Sequence, residues 1–241
     1  MQYDFQWSVL WTEPYRSWLL QGILTTLRLS ALAWGVSALL GGLVGAMRTA
    51  PLRPLRAAAA AYVEFFRNVP LLVWMFFWYF AVPPLLPTAA QAWLDRHGGE
   101  FVAATVALGV YHGARLAEVV RAGLQSVPPG QLEAALSTGL STLQAYRLVL
   151  VPIALRLIIP PVTNETLNLL KNSSLALTVG VAEITFMTRQ VESYTAKGFE
   201  ALTAGTLLYL GLCLCLAAGF SRLEKRVAIP GLIARVERAE H

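Results

Sequence analysis

Several charged residues stand inside or beside long apolar stretches, and their types and spacing could do chemistry. Glu64 lies three residues before Arg67, a spacing that places both side chains on one face of a helix, where they can form an ion pair. Glu118 has arginines at the same spacing on either side, Arg115 and Arg121. Charge at membrane depth is costly, so charged residues there are expected to have a role. Both groups are interpreted either as structural ion pairs between packed helices or as polar groups of a solute pathway.

Lys171 has no acidic residue three or four positions away. No carboxylate on its own helix can therefore neutralise it, and it must meet a carboxylate of another helix, water or an anionic ligand. Asn172, Ser173 and Ser174 add hydrogen-bonding groups beside it, as a pathway for a polar solute requires. A pathway lysine favours a solute that carries a carboxylate, whereas the alternative is a structural pair with Glu64 or Glu118 across the bundle. The residues predicted to line the pathway are Lys171, Asn172, Ser173, Ser174, Arg67, Glu64 and Glu118.

The sequence carries no motif of an enzyme active site. His97, His112 and His241 are scattered, and neither an H-E-x-x-H nor a G-x-S-x-G pattern occurs. A G-x-x-x-x-G-K-[ST] phosphate-binding loop is also absent. We therefore expect no catalytic residue, no metal ligand and no bound cofactor. His112 is interpreted as a packed, hydrogen-bonded residue, and a membrane enzyme assembled from distant helices is the disfavoured alternative.

The composition is that of an integral membrane protein. Of the 241 residues, 56% are hydrophobic and only 14% are charged, and the mean hydropathy is +0.55. Residues 29–47, 68–94 and 202–220 contain no charge. Each run matches the roughly 20 residues that a helix needs to cross a hydrocarbon core about 30 Å thick. The net charge of +5 could indicate nucleic acid binding, but the basic residues cluster beside the apolar runs, where membrane topology explains them.

The pattern predicts an all-α membrane domain with five crossing helices. The first covers about residues 22–47, the second runs from about residue 57 to the prolines after residue 82, and the third covers about 101–123. The fourth covers about 154–187 with a kink at Pro160 and Pro161, and the fifth about 201–223. Residues 1–20 form an extracytoplasmic or interfacial segment, 21–225 the transmembrane domain with a cytoplasmic loop at about 124–153, and 226–241 a cytoplasmic tail.

Arginines and lysines set the predicted orientation. They are concentrated at residues 48–56 and in the C-terminal tail, whereas the opposite loops carry mixed charges. Because positively charged segments stay on the cytoplasmic side, the N-terminus is expected outside and the C-terminus in the cytoplasm. The short polar helix within PPGQLEAALSTGL, residues 128–140, then faces the cytoplasm.

The polar helix has consistent local chemistry. Glu133 falls in its first turn, where a carboxylate favours the positive end of the helix dipole, and Gly139 suits a left-handed cap at its end. Ser141 and Gln144 are spaced as a capping box that opens the next helix. From the residues alone, this helix either inserts into a groove of a partner protein or is a solvated linker.

The same segment resembles the EAA loop of ABC-importer permeases. Glu133, Ala134 and Ala135, then Gly139, then Val149-Leu150-Val151-Pro152 follow that pattern and its spacing, with Val149 and Val151 in place of the usual residues. The stretches YVEFFRNVP, PPVTN and LLKNSSL are similar to those of the polar amino-acid permeases, above all the glutamate/aspartate type. The resemblance implies that Glu133, Ala134, Ala135 and Gly139 belong to a coupling helix that docks on an ATP-binding subunit.

The resemblance further implies a type I ABC-importer permease fold in the bacterial cytoplasmic (inner) membrane. The implied function is that of the transmembrane permease subunit of an ATP-driven importer of polar amino acids, foremost glutamate/aspartate. A permease for glutamine or a basic amino acid, or an ion-gradient-driven transporter, is the alternative. The implied partners are the ABC ATP-binding subunit that uses the ATP, an extracytoplasmic amino-acid-binding protein, a second permease copy or homologous permease, and the lipid bilayer, with no nucleic acid.

Overall fold

The computed structural model describes residues 3–227, and every regular element in this range is helical. This confirms the all-α prediction. Short 3-10 segments lie at Trp7–Trp11, Pro83–Leu85 and Ser173–Val179, and π-helical turns at Phe77–Ala81 and Tyr146–Leu150. The α-helices are α1 (Tyr15–Thr49), α2 (Arg53–Arg67), α3 (Leu71–Phe76), α4 (Thr88–His97), α5 (Gly99–Gln125), α6 (Pro129–Ser137), α7 (Thr142–Ala145), α8 (Val151–Leu157), α9 (Ile159–Asn172), α10 (Ile184–Thr195) and α11 (Gly198–Val227).

Helix α5 packs most extensively against α1, and glycines allow the two backbones to approach closely. A Cβ on Gly45 would lie 2.6 Å from Val120 Cβ, and one on Gly41 would lie 2.7 Å from Leu116 Cβ. Gly42, in contrast, has open space where its Cβ would be. The close α1–α5 contact fixes the helix that carries His112, so it positions the polar residues described below.

The second predicted helix is broken in two, and its prediction as one continuous span is wrong. α2 ends at Arg67, where the Asn68 N–H bonds to the Glu64 carbonyl. The helical segment Leu71–Ala81 then leaves at 97° to α2. Pro70 explains the break, because it has no N–H to continue the helix and disfavours a helical conformation in the residue before it.

The fourth predicted helix is kinked as expected but ends earlier. The segments Thr142–Leu157 and Ile159–Val179 meet at 48°, directly before Pro160 and Pro161. The expected continuation to residue 187 is wrong, because Gly180 adopts a left-handed conformation (φ 92°) and ends the segment. A new helix, α10, starts after Glu183, whose carboxylate accepts hydrogen bonds from the N–H groups of Thr185 and Phe186.

Length and hydropathy give fewer certain crossings than the predicted five. Within residues 3–227, α1 and α11 are long and apolar enough to span a membrane, and the two bent segment pairs raise the number to four if each pair forms one span. α5 has 27 residues but carries Arg115, Glu118 and Arg121, and it is not among these spans. The five-helix count therefore stays a prediction.

The N-terminal segment is fastened to the beginning of α11. The Tyr3 hydroxyl and the Gln6 N–H both donate to the Glu200 carboxylate, the second over 2.6 Å. The Lys197 ammonium donates to the Asp4 carbonyl over 2.8 Å. The hydrogen bond to Glu200 raises the pKa of Tyr3, because deprotonation would remove the donor and place two negative charges together.

Candidate functional site

A polar network connects α5 to α9 through one carboxylate. Glu165 Oε1 lies 2.6 Å from His112 Nδ1 and accepts a hydrogen bond from Arg115 Nε over 2.8 Å. On the other side of the imidazole, Asn172 Nδ2 lies 3.2 Å from His112 Nε2. The His112 ring is fully buried, and Arg115 is 40% exposed along its side chain. Glu165 is therefore neutralised by Arg115, and Asn172 is attached to the same network through His112.

Lys171 stands next to this network but forms no ion pair within residues 3–227. Its side chain is exposed, and neither Glu64 nor Glu118 pairs with it. The alternative interpretation of Lys171, a structural ion pair with one of these two glutamates, is therefore wrong. Among the described residues, the positive charge of Lys171 is thus not compensated by an ion pair.

The two serines after Asn172 are oriented differently from one another. Ser173 is fully buried and donates to the Leu170 carbonyl over 2.7 Å, whereas Ser174 is half-buried and donates to the Lys171 carbonyl over 2.8 Å. Both hydroxyl protons are thereby used within the helix, where α9 tightens into the 3-10 segment. At the end of α9, Lys171 is exposed, Asn172 contacts His112, and the Ser173 side chain lies in the interior.

Glu118 belongs to a second cluster, held by two arginines. Arg48 Nη2 lies 3.0 Å from its Oε1, and Arg121 Nη2 lies 2.8 Å from its Oε2. The expected Arg121 pair is confirmed, but the expected Arg115 pair is wrong, because Arg115 turns to Glu165 on α9. Glu118 is compensated and is not free to serve Lys171.

The expected Glu64–Arg67 pair is also not formed. Both side chains are exposed, and neither has an ion partner in the part of the chain that the structure describes. Arg67 lines an open cavity of about 440 Å³ together with Glu118, Arg121, Ser126 and Pro161. Within this cavity the arginines outnumber the carboxylate, so its walls carry excess positive charge.

The helix with the EAA pattern is α6. Because it begins at Pro129, Glu133 lies in its second turn, and the predicted position in the first turn is wrong. Glu133 and Ala134 are exposed on it, whereas Ala135 is buried within the protein. Gly139 has the expected left-handed conformation, with φ 88°, and nothing lies within 4 Å of the position of a Cβ. The capping box that follows is confirmed as well, because the Ser141 N–H donates to the Gln144 side chain and the Gln144 N–H to the Ser141 hydroxyl. The exposed face of α6 therefore presents Glu133 and Ala134.

Glu165 was not predicted as a site residue from the sequence. It lies six residues before Lys171, outside the three- and four-residue spacing by which partners on one helix are recognised. The available signal was a carboxylate within an apolar helix, which is a candidate functional residue by itself. Among residues 3–227, no three His, Cys, Asp or Glu side chains lie close enough together to hold a metal ion.

Comparisons with known proteins show the family and the fold of the chain. A family profile described as binding-protein-dependent transport system inner membrane component matches residues 37–229. The Glutamate/aspartate import permease protein GltJ of Escherichia coli (strain K12) is 38% identical over 241 residues, covering 96% of this chain and 98% of that protein. The Probable glutamine ABC transporter permease protein GlnM of Bacillus subtilis (strain 168) is 40% identical over 211 residues, 88% of this chain and 94% of that protein. A solved amino acid ABC transporter, crystallised with histidines, superposes with a TM-score of 0.79 at 30% identity and covers 94% of this chain and 100% of that chain.

Proposed function

Because the chain belongs to the family of binding-protein-dependent transport system inner membrane components, we propose that it is the permease subunit of an ATP-driven importer for acidic amino acids. It has the all-helical fold of the type I ABC-importer permeases, which is the fold that the sequence resemblance implied. Two of its relatives carry glutamate/aspartate and glutamine in their names, so the solute is an amino acid with a polar side chain.

The observation that carries the acidic assignment is the uncompensated charge of Lys171. The carboxylates Glu165 and Glu118 are both paired with arginines, and neither pairs with Lys171. Arg67 adds a further exposed cation in the cavity beside Glu118. A path with this excess of positive charge favours an anionic solute over a neutral one and disfavours a basic one. This set, with Asn172, Ser174 and Glu64, remains our proposed substrate pathway.

The exposed face of α6 supports a docking role. Glu133 and Ala134 project from a short helix that Gly139 and the capping box hold in a fixed geometry. We assign this face to the ABC ATP-binding subunit, which supplies the ATP hydrolysis for transport. The other proposed partners are an extracytoplasmic amino-acid-binding protein and a second permease, either the same chain or a homologous one. The protein then lies in the bacterial inner membrane with its N-terminus outside and its C-terminal tail, which is outside the described residues, in the cytoplasm.

Glutamine is the second candidate solute, because the glutamine-named relative is 40% identical over most of its length. The two solutes differ in one charge, so Lys171 should discriminate between them. Lys171→Met removes the positive charge at similar length, and Lys171→Arg keeps it.

The test is uptake of radiolabelled glutamate, aspartate, glutamine and arginine into proteoliposomes that contain the permease with its ATPase and binding protein. We expect vanadate-sensitive uptake of glutamate and aspartate, about ten- to hundredfold weaker in Lys171→Met, because a hydrogen-bonded charge is lost. Lys171→Arg should retain most uptake, and Lys225→Met, at the end of α11, serves as the control for loss of a lysine. Equal uptake of glutamate by wild type and Lys171→Met in an assembled complex would refute the assignment of the acidic solute.

A further inference from the structure

We infer that His112 is a positioning residue that fixes Asn172 as a hydrogen-bond acceptor for the α-ammonium group of the solute. This inference rests on the proposed function, because it concerns the same pathway, and it adds a second recognition element to Lys171. The observations that carry it are the two hydrogen bonds of the His112 ring and its complete burial.

The two ring contacts determine where the proton of His112 lies. Nδ1 faces the Glu165 carboxylate, which also accepts from Arg115 and is therefore ionised, so Nδ1 must carry a proton to donate. Arg115 already balances the charge of Glu165, and a buried ring that stays neutral adds no uncompensated charge. The neutral ring with its proton on Nδ1 has an acceptor at Nε2.

This tautomer dictates the orientation of the Asn172 amide. An acceptor at Nε2 needs a donor opposite it, and the Nδ2 group of Asn172 lies there at 3.2 Å. The carbonyl oxygen of the same amide then points away from the ring, and within residues 3–227 it has no hydrogen-bond partner. A charged His112 would donate from both nitrogens and would require the opposite amide orientation. The buried ring thus selects which end of the amide is available.

The groups around His112 on every packed element are consistent with this role. On α5, Tyr111 lies edge-on to the ring at 5.3 Å and also lies beneath Arg115. On α1, Ser37 and Trp34 line the small space beside the ring, and Trp34 donates to Thr166 of α9. Glu165 is the one carboxylate that contacts the ring among the described residues. Asn172 is the hydrogen-bond partner of Nε2 within residues 3–227.

The Asn172 carbonyl oxygen and the Lys171 ammonium group can each bind one of the two charged groups of an amino acid. Lys171 Nζ attracts a carboxylate, and the Asn172 oxygen accepts from an α-ammonium group, which donates up to three hydrogen bonds. A dicarboxylate without an ammonium group satisfies the first contact and leaves the second unmade. The pathway should therefore prefer glutamate to glutarate, the molecule that has the same two carboxylates and no ammonium group.

The experiment measures direct binding of radiolabelled L-glutamate and glutarate to the detergent-solubilised permease–ATPase complex without binding protein, so that only the membrane site selects. His112→Leu removes both ring contacts at similar volume, and His112→Gln keeps a donor for Glu165 and an acceptor for Asn172. We expect the preference for glutamate over glutarate to fall about tenfold in His112→Leu, with glutarate affinity unchanged, and to be restored in His112→Gln. Thr105→Val on α5, which removes a hydrogen bond within the helix, is the matched control.

A purely structural role for His112 predicts equal losses for glutamate and glutarate in His112→Leu, and that result overturns the inference, as does an unchanged preference. Should His112→Leu not assemble, Asn172→Ala removes the acceptor itself and must show the same selective loss. Glutamine and its des-amino analogue glutaramate are measured alongside. If the wild-type complex binds glutamine but no glutamate, the acidic assignment is wrong. The comparison of glutamine with glutaramate then still measures the preference for an ammonium group. If neither wild-type amino acid is preferred over its des-amino analogue, the inference is wrong.

Discussion

The contact between α1 and α5 offers a stability test with an internal control. Gly45 and Gly42 are three residues apart on α1, but only Gly45 faces α5. A methyl group at Gly45 would lie 2.6 Å from Val120 Cβ and 2.9 Å from the Ala117 carbonyl oxygen, and at Gly42 nothing lies within 4 Å. A β-branched side chain and a backbone oxygen cannot rotate away from such a contact, so the two helices must separate.

The expected magnitude follows from two opposing contributions. Replacing a helical glycine by alanine stabilises the helix by about 1 kcal/mol at either position, so this contribution cancels between Gly45→Ala and Gly42→Ala. Overpacking a close contact costs about 1–3 kcal/mol and applies only to Gly45→Ala. Gly45→Ala should thus be less stable than Gly42→Ala by about 1–3 kcal/mol. At about 2–4 °C per kcal/mol for a chain of this size, the difference in melting temperature is clearly measurable.

The assay is thermal unfolding of the purified complex in detergent, followed by fluorescence-detected gel filtration after heating. The binding ratio of glutamate to glutarate should follow the same order, because α5 carries His112. Equal melting temperatures of the two variants, or a lower one for Gly42→Ala, would refute the close packing of α1 on α5 at Gly45.

Three further outcomes are expected. Glu133→Arg should leave membrane insertion intact and weaken binding of the ATP-binding subunit, as measured by co-purification; normal binding and uptake would contradict the docking role of α6. Gly139→Val should disturb the same contact, because φ 88° is strained for a β-branched residue, whereas Gly130→Val, where no left-handed conformation is needed, should not. The raised pKa of Tyr3 means that its bond to Glu200 is present below the ordinary tyrosine pKa of about 10 and is lost as the pH rises through the raised value. Proteolysis of the N-terminal segment should therefore increase in alkaline buffer, and Tyr3→Phe should remove that pH dependence.

Local signals in the sequence predicted the local geometry well. Gly139, the capping box at Ser141 and the kink at Pro160 all depend on residues within one or two turns, and each is confirmed. The Glu118–Arg121 pair belongs to the same class, since both partners lie on one helix face. The break before Leu71 was also encoded locally, by Pro70, but the uninterrupted apolar composition of residues 68–94 concealed it.

Contacts between helices could not be read in the same way. Arg115 has two carboxylates within reach of a long side chain, and only the packing of α9 against α5 decides for Glu165 over Glu118. The orientation of Asn172 depends on a histidine 60 positions away in the sequence. No periodicity within a single helix contains that information, because it arises from the relative rotation of two helices.

The 48° bend before Pro160 is a place where a small change in helix angle would move Asn172. α8 follows the loop that contains α6, and α9 ends at Asn172. Asn172 therefore lies about 21 Å along the helix from the bend at Ile158. Over this length, at a helical rise of about 1.5 Å per residue, a tilt of α9 by about 5° at Ile158 moves Asn172 by about 2 Å. That displacement is enough to break the 3.2 Å contact between Asn172 and His112. A movement of this size at the end of α8 would therefore separate Asn172 from His112.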